Sequence, residues 1–163
     1  MTSAARVVGS LVERGLTVAV AESLTGGLVV AELVGVAGAS AAVRGGVVAY
    51  DTELKHSLLG VDAALLAERG AVDPDVAAAM AEGVRRALRA HDADADVGLA
   101  TTGVAGPSPQ DGKAPGTVFV AVSWGDETRV RELALTGDRA AIRSGSVSEL
   151  LSMLATWLDE ARE

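Results

Sequence analysis

The sequence predicts an α/β protein, a three-layer α/β/α sandwich built around a mixed, mostly parallel sheet. Segments whose apolar residues recur at helical spacing alternate with short, continuous apolar runs, and the last two runs flank a Gly-Asp turn at residues 125–126. The composition agrees with this class, because 49% of the residues are hydrophobic, mostly Ala, Val and Leu, and only 2% are aromatic. Small aliphatic side chains suit alanine-rich helices that pack on buried parallel strands.

The first part of the chain predicts helices and strands in alternation. Apolar residues at helical spacing over residues 3–14, followed by Gly15, predict a helix with a glycine stop. The apolar run 16–21 predicts a buried strand, residues 24–34 predict a second helix, and residues 45–50 predict the next strand.

Two aspartates mark predicted helix starts in the middle of the chain. Asp62 can cap a short helix that ends at Gly70, and Asp73, with proline at the first helical position, can cap a longer helix to about residue 91. The remaining predicted elements are a strand at 97–102, a hairpin of strands at 117–123 and 128–133, and a final helix at 139–158.

A single domain is expected over residues 1–163, because a chain of this length can bury one substantial core and shows no repeat or low-complexity linker. The clear irregular stretch is AGPSPQDGKAPG at residues 105–116. It borders a strand end, and we interpret it as a loop of a functional site rather than as a domain boundary.

Charge and composition disfavour several classes of function. The 14 Lys and Arg residues against 22 Asp and Glu residues give a net charge of −8, so nucleic acid and anionic membranes are not expected as partners. Arg6, Glu13 and Arg14 interrupt the N-terminal segment and Glu32 interrupts the longest apolar stretch elsewhere, so neither a signal peptide nor a membrane span is expected. The absence of cysteine excludes disulfides, thiolate metal sites and a catalytic thiol. We expect a soluble, cytoplasmic protein.

Ser23 lies in the segment AESLTGG, where the first predicted strand becomes a helix. Ligands of open α/β sheets bind beyond the carboxyl ends of strands, and the N–H groups of a helix N-terminus could hold a phosphate or a developing oxyanion. Ser23 and Thr25 could instead only cap the helix, which is the more common role. Gly26 and Gly27 favour a functional interpretation, because each costs a helix roughly 1 kcal/mol relative to alanine and indicates a close approach of the backbone.

A second polar cluster, from Tyr50 to Lys55, follows the strand predicted at 45–50. A lysine in a partly buried cleft can be neutral enough to act as a base, and Ser-Lys pairs perform nucleophilic acyl transfer. Lys55 could also be a surface lysine, and Tyr50 a half-buried aromatic residue. The distance between the Lys55 amine and the Ser23 hydroxyl decides between these interpretations, because a base has to lie within hydrogen-bond distance of the nucleophile.

A third cluster, TTGVAGP at residues 101–107, places hydroxyls and glycines at the end of another strand, although an ordinary turn would have the same composition. Gly112 and Lys113 superficially suggest a phosphate loop. Their spacing from Gly106 is wrong, and Ala-Pro follows where Ser or Thr and a helix are required, so we reject a P-loop.

Arg139 and Arg143 lie one turn apart on or beside the apolar face of the last predicted helix. They could bind an anion, because guanidinium pairs suit phosphate or carboxylate, or their stems could cover apolar surface while their heads reach water. Neither His56 nor His91 stands at a metal-ligand spacing from a carboxylate or another histidine, so no metal site is predicted.

Taken together, these segments resemble the CinA C-terminal domain family, which includes bacterial nicotinamide mononucleotide deamidases. The matching segments follow the family's order and spacing over nearly the whole chain: AESLTGG at 21–27, GGVVAYDTELK at 45–55, RGAV at 69–72, TGVAGP at 102–107, PGTV at 115–118 and GDRAAIR at 137–143. Each motif is weak alone, whereas the ordered set is specific. Two departures are Leu24, where many members have Cys, and residues 108–110, which replace a common Asp-Gly-Gly.

The resemblance implies hydrolysis of nicotinamide mononucleotide to nicotinate mononucleotide and ammonia, without a metal or an organic cofactor. It implies Ser23 as the nucleophile, Lys55 as its proton acceptor and Tyr50 as a hydrogen-bonding assistant. The residues expected to hold the substrate are Thr25, Gly26, Gly27, Thr102, Gly103, Gly106, Arg139 and Arg143. The alternative is a catalytically silent module of the same family that binds a nucleotide or a protein. We also expect a homo-oligomer, most simply a dimer.

Overall fold

The computed structural model describes residues 1–161, in which helices and strands alternate as the sequence predicts. Its helices are α1 (Ser3–Arg14), α2 (Leu28–Val34), α3 (Thr52–Ser57), α4 (Ala63–Arg69), α5 (Pro74–Ala87) and α6 (Arg139–Glu160). Its strands are β1 (Val18–Glu22), β2 (Val43–Val48), β3 (Val97–Gly103), β4 (Thr117–Trp124) and β5 (Glu127–Ala134).

The strands form one mixed sheet in the order β2-β1-β3-β4-β5. Strand β1 pairs in parallel with β2 and β3, whereas β4 is antiparallel to both β3 and β5. Only β4 therefore runs against the direction of the other strands in the sheet. The carboxyl ends of β1, β2 and β3 meet at one edge, the carboxyl edge, where open α/β sheets bind their ligands.

Alternate residues of each strand face two separate cores. Val18 packs in the core that contains α1, α2 and α6, whereas its neighbour Ala19 packs in the core that contains α4 and α5. Helix α5 lies very close to the sheet, because a Cβ at Gly98 would come within 1.9 Å of the Ala81 carbonyl oxygen. Helices cover both faces of the sheet, so the predicted three-layer α/β/α architecture is confirmed.

Both predicted aspartate caps are confirmed. Asp62 and Asp73 each accept a hydrogen bond from the backbone N–H two residues further on, at 2.9 and 2.8 Å. Helix α5 ends at Ala87, before the predicted end near residue 91, and the backbone reaches left-handed conformations at His91 and Asp92.

Two differences from the predicted elements shape the carboxyl edge. Helix α2 begins at Leu28 rather than at residue 24, because Gly26 and Gly27 have φ of +58° and +103° and form a turn instead of a helix. The short helix α3 was not expected. Asp51 caps it by accepting a 2.9 Å hydrogen bond from Glu53 N–H.

Candidate active site at the carboxyl edge

A pocket of about 390 Å³ opens at the carboxyl edge of the sheet. Its walls come from the turn after β1, the segment after β2, the connection between α4 and α5, the loop after β3, and the start of α6. The fold gathers here seven of the site residues expected from the sequence: Ser23, Tyr50, Lys55, Thr102, Gly103, Gly106 and Arg139. The pocket volume lies within the range of small-ligand sites.

Ser23 directly follows β1, and strand β3 holds its backbone. Ser23 N–H donates to Thr101 O at 3.2 Å and lies 3.3 Å from Thr101 Oγ1. The hydroxyls of Thr101 and Thr25 are 2.8 Å apart, and both threonines are fully buried. Ser23, which is 8% exposed, therefore lines the pocket from a fixed backbone position.

Lys55 lies on α3 and is only 1% exposed. Its Nζ is 3.1 Å from Ser23 Oγ and donates a 2.7 Å hydrogen bond to Ala49 O. Burial lowers the pKa of Lys55 from 10.5 to about 8, an effect that the Asp51 carboxylate opposes by favouring the charged amine. A useful fraction of the amine is thus neutral near pH 8, and its lone pair can then accept the proton of the Ser23 hydroxyl.

Arg143 of α6 holds the turn after β1 by two hydrogen bonds to its backbone. Its Nε donates to Leu24 O at 2.8 Å, and its Nη2 donates to Thr25 O at 3.3 Å. Gly26 leaves room for the guanidinium, because a Cβ there would lie 3.3 Å from Nη2. Arg143 thus contacts the protein's own backbone and is not among the residues that line the pocket, whereas Arg139 is.

The start of α2 is already occupied by a carboxylate. Glu22, the last residue of β1, accepts hydrogen bonds from Val29 N–H at 2.9 Å and Val30 N–H at 3.1 Å. Glu22 thus takes two of the N–H groups at the start of α2, and these two are not available to an anion. The remaining expected residues of this segment lie outside the pocket lining: Thr25, Gly26 and Gly27.

Arg139, the first residue of α6, joins the pocket rim to the loop after β3. Its Nη1 donates to Gly106 O at 2.6 Å, and its Nη2 donates to the hydroxyl of Tyr50, which is 63% exposed, at 3.2 Å. Lys55 and Arg139 are the charged residues of the lining, and no carboxylate from the described part of the chain joins them. The pocket is therefore locally cationic in a chain of net charge −8, which suits an anionic ligand.

The end of β3 and the loop after it are hydrogen-bonded to the connection between α4 and α5, which forms another wall of the pocket. Thr102 Oγ1 donates to Ala71 O, and Lys113 Nζ donates to Val72 O, both at 2.7 Å. Ala71 and Val72 line the pocket, as do residues 107–110 of the loop. This placement agrees with the interpretation of the irregular stretch at 105–116 as a site loop.

Sequence reasoning assigned no role to three groups that build the site: the Glu22 carboxylate, the Thr101 hydroxyl and the Ala49 carbonyl. Glu22 carried a usable signal, because it ends an apolar strand and glutamate is rarely fully buried without partners. Thr101 stood in a polar cluster at a strand end. The Ala49 carbonyl gave no signal, because every residue has one.

Histidine and carboxylate side chains do not cluster as metal ligands in the described residues. Across residues 1–161, no group of three or more such side chains could hold a metal ion. His56 Nδ1 instead lies 2.7 Å from Val61 O. Within the same residues, no helix has the length and apolar character that crossing a membrane requires.

Comparison with known sequences identifies one family. The family model of the CinA C-terminal domain matches residues 1–158. A CinA-like protein of Frankia casuarinae is 51% identical over 152 residues, which cover 93% of this chain and 34% of that protein. A CinA-like protein of Geobacter sulfurreducens is 46% identical over 143 residues, which cover 87% of this chain and 33% of that protein. The chain thus spans about a third of the length of these curated relatives.

Solved structures give the same assignment. A CinA superfamily protein from Klebsiella pneumoniae superposes with a TM-score of 0.90 at 31% identity, covering 97% of this chain and 96% of that one. The competence/damage inducible protein of Agrobacterium tumefaciens has a TM-score of 0.87 at 33% identity, covering 96% and 93% of the two chains. Since the family model covers nearly the whole chain and solved members share its fold, this chain belongs to the CinA C-terminal domain family.

Proposed function

We propose that this chain is an amidohydrolase that converts nicotinamide mononucleotide and water into nicotinate mononucleotide and ammonia. The observation that carries the proposal is the 3.1 Å separation between Lys55 Nζ and Ser23 Oγ in the pocket at the carboxyl edge. A serine in hydrogen-bond contact with a partly neutral lysine supplies the nucleophile and the base for acyl transfer. The choice of substrate is supported by membership of the CinA C-terminal domain family and by the resemblance to its deamidating members.

Acylation begins when Ser23 Oγ attacks the carboxamide carbon and its proton moves to the neutral amine of Lys55. Ala49 O accepts a hydrogen bond from Nζ and keeps the amine directed at Ser23. The carbonyl π electrons move onto oxygen and form an oxyanion. When the π bond re-forms, the C–N bond breaks, the leaving nitrogen takes the proton from Lys55, and ammonia departs from an acyl ester on Ser23.

Deacylation repeats the chemistry with water as the nucleophile. Water attacks the ester carbon while Lys55 accepts one of its protons. The ester C–O bond then breaks, Lys55 returns that proton to Ser23 Oγ, and the new carboxylic acid loses its remaining proton to solvent. The cycle ends with a free serine, a neutral lysine and nicotinate mononucleotide.

The backbone N–H of Leu24 supplies a donor to the oxyanion. Leu24 follows the nucleophile and lines the pocket, and its N–H has no acceptor among residues 1–161. Arg143 holds the carbonyls of Leu24 and Thr25, so the donor is oriented before the substrate arrives. One such donor contributes roughly 10²- to 10³-fold to kcat.

Arg139 binds the phosphate of the substrate at the rim of the pocket. Its guanidinium is already oriented by Gly106 O and by the hydroxyl of Tyr50, and guanidinium geometry matches phosphate oxygens. Thr102 and Gly103 line the same pocket. Tyr50 acts through Arg139 in this arrangement.

The proposal is tested by incubating the purified chain with nicotinamide mononucleotide and measuring ammonia and nicotinate mononucleotide together. Release of both in equal amounts supports it. Saturable binding by calorimetry without turnover would contradict it and favour a silent nucleotide-binding module. Neither binding nor turnover would contradict it and favour a protein-interaction module. Nicotinamide riboside, which lacks the phosphate, is the matched substrate and should show a lower kcat/KM.

A further inference from the structure

Glu22 is a fully buried carboxylate one residue before Ser23. Its Oε1 accepts from Val29 N–H and its Oε2 accepts from Val30 N–H, at 2.9 and 3.1 Å. Its carbonyl oxygen accepts a 2.9 Å hydrogen bond from Ala49 N–H of the segment after β2. Because a buried carboxylate is costly unless it is hydrogen-bonded, these contacts hold Glu22 in one orientation.

Helix α2 differs from the other helices in the origin of its cap. In the described part of the chain, α1, α3, α4, α5 and α6 each begin at a Thr or Asp whose own side chain caps the helix. Gly27 stands at that position in α2, with φ of +103° and no side-chain cap. The carboxylate of Glu22, at the end of the preceding strand, supplies the missing cap. The cap of α2 is therefore also a bridge between β1 and α2.

This bridge closes residues 23–27 into a turn whose two ends are fixed relative to each other. Ser23 is the first residue of that turn. The amine opposite it belongs to another element, since Lys55 is held by Ala49 O. Thr101 and Arg143 also hold this turn, so loss of the bridge would release its α2 end and let the turn pivot about the remaining contacts. Such a pivot would move Ser23 Oγ away from Lys55 Nζ.

We propose that Glu22 is a positioning residue, whose carboxylate sets the distance between Ser23 and Lys55 without touching the substrate. Glu22 does not line the pocket. The expected effect of Glu22 on the rate rests on the proposed function. The expected effect of Glu22 on the distance between Ser23 Oγ and Lys55 Nζ does not depend on which substrate the chain hydrolyses.

The test uses Glu22→Gln, which keeps the size of the side chain but turns one acceptor oxygen into an NH₂ group that faces a helix N–H. We expect kcat for nicotinamide mononucleotide to fall about 10- to 100-fold, with KM within about threefold of the wild type. A crystal structure of the variant is expected to show Ser23 Oγ and Lys55 Nζ separated beyond hydrogen-bond distance, roughly 3.5 Å.

Asp62→Ala is the control, because it removes the side-chain acceptor that caps α4 outside the pocket lining. It is expected to lower Tm while leaving kcat unchanged. Glu22→Asp keeps the charge on a shorter side chain and is expected to lose less activity than Glu22→Gln. If Glu22→Gln does not fold, kcat and the distance between Ser23 Oγ and Lys55 Nζ are measured on Glu22→Asp instead.

An unchanged distance between Ser23 and Lys55 in the folded Glu22 variant overturns the inference, whatever its rate. A kcat within twofold of the wild type overturns it as well, and so does a loss of rate that vanishes after correction for the folded fraction. A wild-type chain without deamidase activity contradicts the proposed function alone, because the crystallographic distance still decides the role of Glu22.

Discussion

Lys55 Nζ lies 3.1 Å from Ser23 Oγ, although the two residues are 32 positions apart in the chain. Backbone pairing produces this proximity. Ala49 N–H donates to Glu22 O at 2.9 Å, and Ala49 O accepts from Lys55 Nζ at 2.7 Å. The parallel pairing of β1 and β2 thus aligns the serine that follows one strand with the lysine that follows the other.

The rate of deamidation is expected to rise with pH through a midpoint near 8 and to level off above it. The pKa of Lys55 is lowered to about 8, and only the neutral amine can accept the proton of Ser23. Measuring kcat/KM between about pH 6 and pH 10 at constant ionic strength reports this ionisation in the free enzyme. Lys55→Arg, which stays charged, should be inactive at every pH. A rate that is flat or falls between about pH 7 and pH 9 would contradict lysine as the base.

The stability of the fold is expected to increase with pH relative to Lys55→Met. Below about pH 8 the folded and unfolded states both carry the proton, and the cost of burying the charge is fully present. Between about pH 8 and pH 10.5 the folded state releases the proton first, so the free energy of unfolding rises with pH. Denaturant unfolding should show that the free energy of unfolding of the wild type, relative to that of the variant, increases by about 3 kcal/mol over this interval. A difference that stays constant with pH would count against a buried, destabilised ammonium.

Replacement of Arg139 by Gln and replacement of Arg143 by Gln are expected to change different kinetic parameters. Arg139→Gln should raise KM for nicotinamide mononucleotide about tenfold with a smaller effect on kcat, because a phosphate contact is equally present in the ground and transition states. The same substitution should have little effect with nicotinamide riboside.

Arg143→Gln should mainly lower kcat, because Arg143 holds the carbonyls of Leu24 and Thr25 rather than facing the pocket. Steady-state kinetics of Arg139→Gln and Arg143→Gln measure both effects. The reverse division between KM and kcat would show that Arg143 is the residue that binds the phosphate.

Gly26→Ala is expected to reduce both stability and kcat, whereas Gly125→Ala should reduce stability alone. The two glycines have φ of +58° and +60°, so alanine costs each position about 1–2 kcal/mol. A Cβ at Gly125 meets nothing within 4 Å, but a Cβ at Gly26 would lie 3.3 Å from Arg143 Nη2, close enough that the guanidinium has to shift slightly from its contacts. Thermal melts and kcat measured side by side separate the two effects. Equal kcat values in the two variants would mean that the hydrogen bonds from Arg143 to the turn after β1 do not matter for turnover.

The order of elements could be predicted from the sequence because helical and strand-like apolar spacing are local properties. The start of α2 could not, because it depends on the backbone conformation of Gly26 and Gly27 and on a cap supplied by Glu22 from outside the helix. Helix α3 spans only residues 52–57, and six residues are too few to show helical periodicity.

The parts of the site that follow strand ends were predictable, because the carboxyl ends of parallel strands share one edge. Ser23, Lys55 and Thr102 all reach the pocket for this reason. The difference between Arg139 and Arg143 was not predictable, since residues one turn apart share a helix face and only their contacts show which one meets the pocket.

Ammonia release by Ser23→Ala is the most direct test of the proposed nucleophile. The matched control is Ser123→Ala, which removes another buried serine that pairs with Gly98 at the opposite end of β3. With nicotinamide mononucleotide as substrate, Ser23→Ala is expected to lower kcat by at least about 10³-fold, and Ser123→Ala should stay close to the wild type. Wild-type rates of ammonia release from folded Ser23→Ala protein would contradict the account.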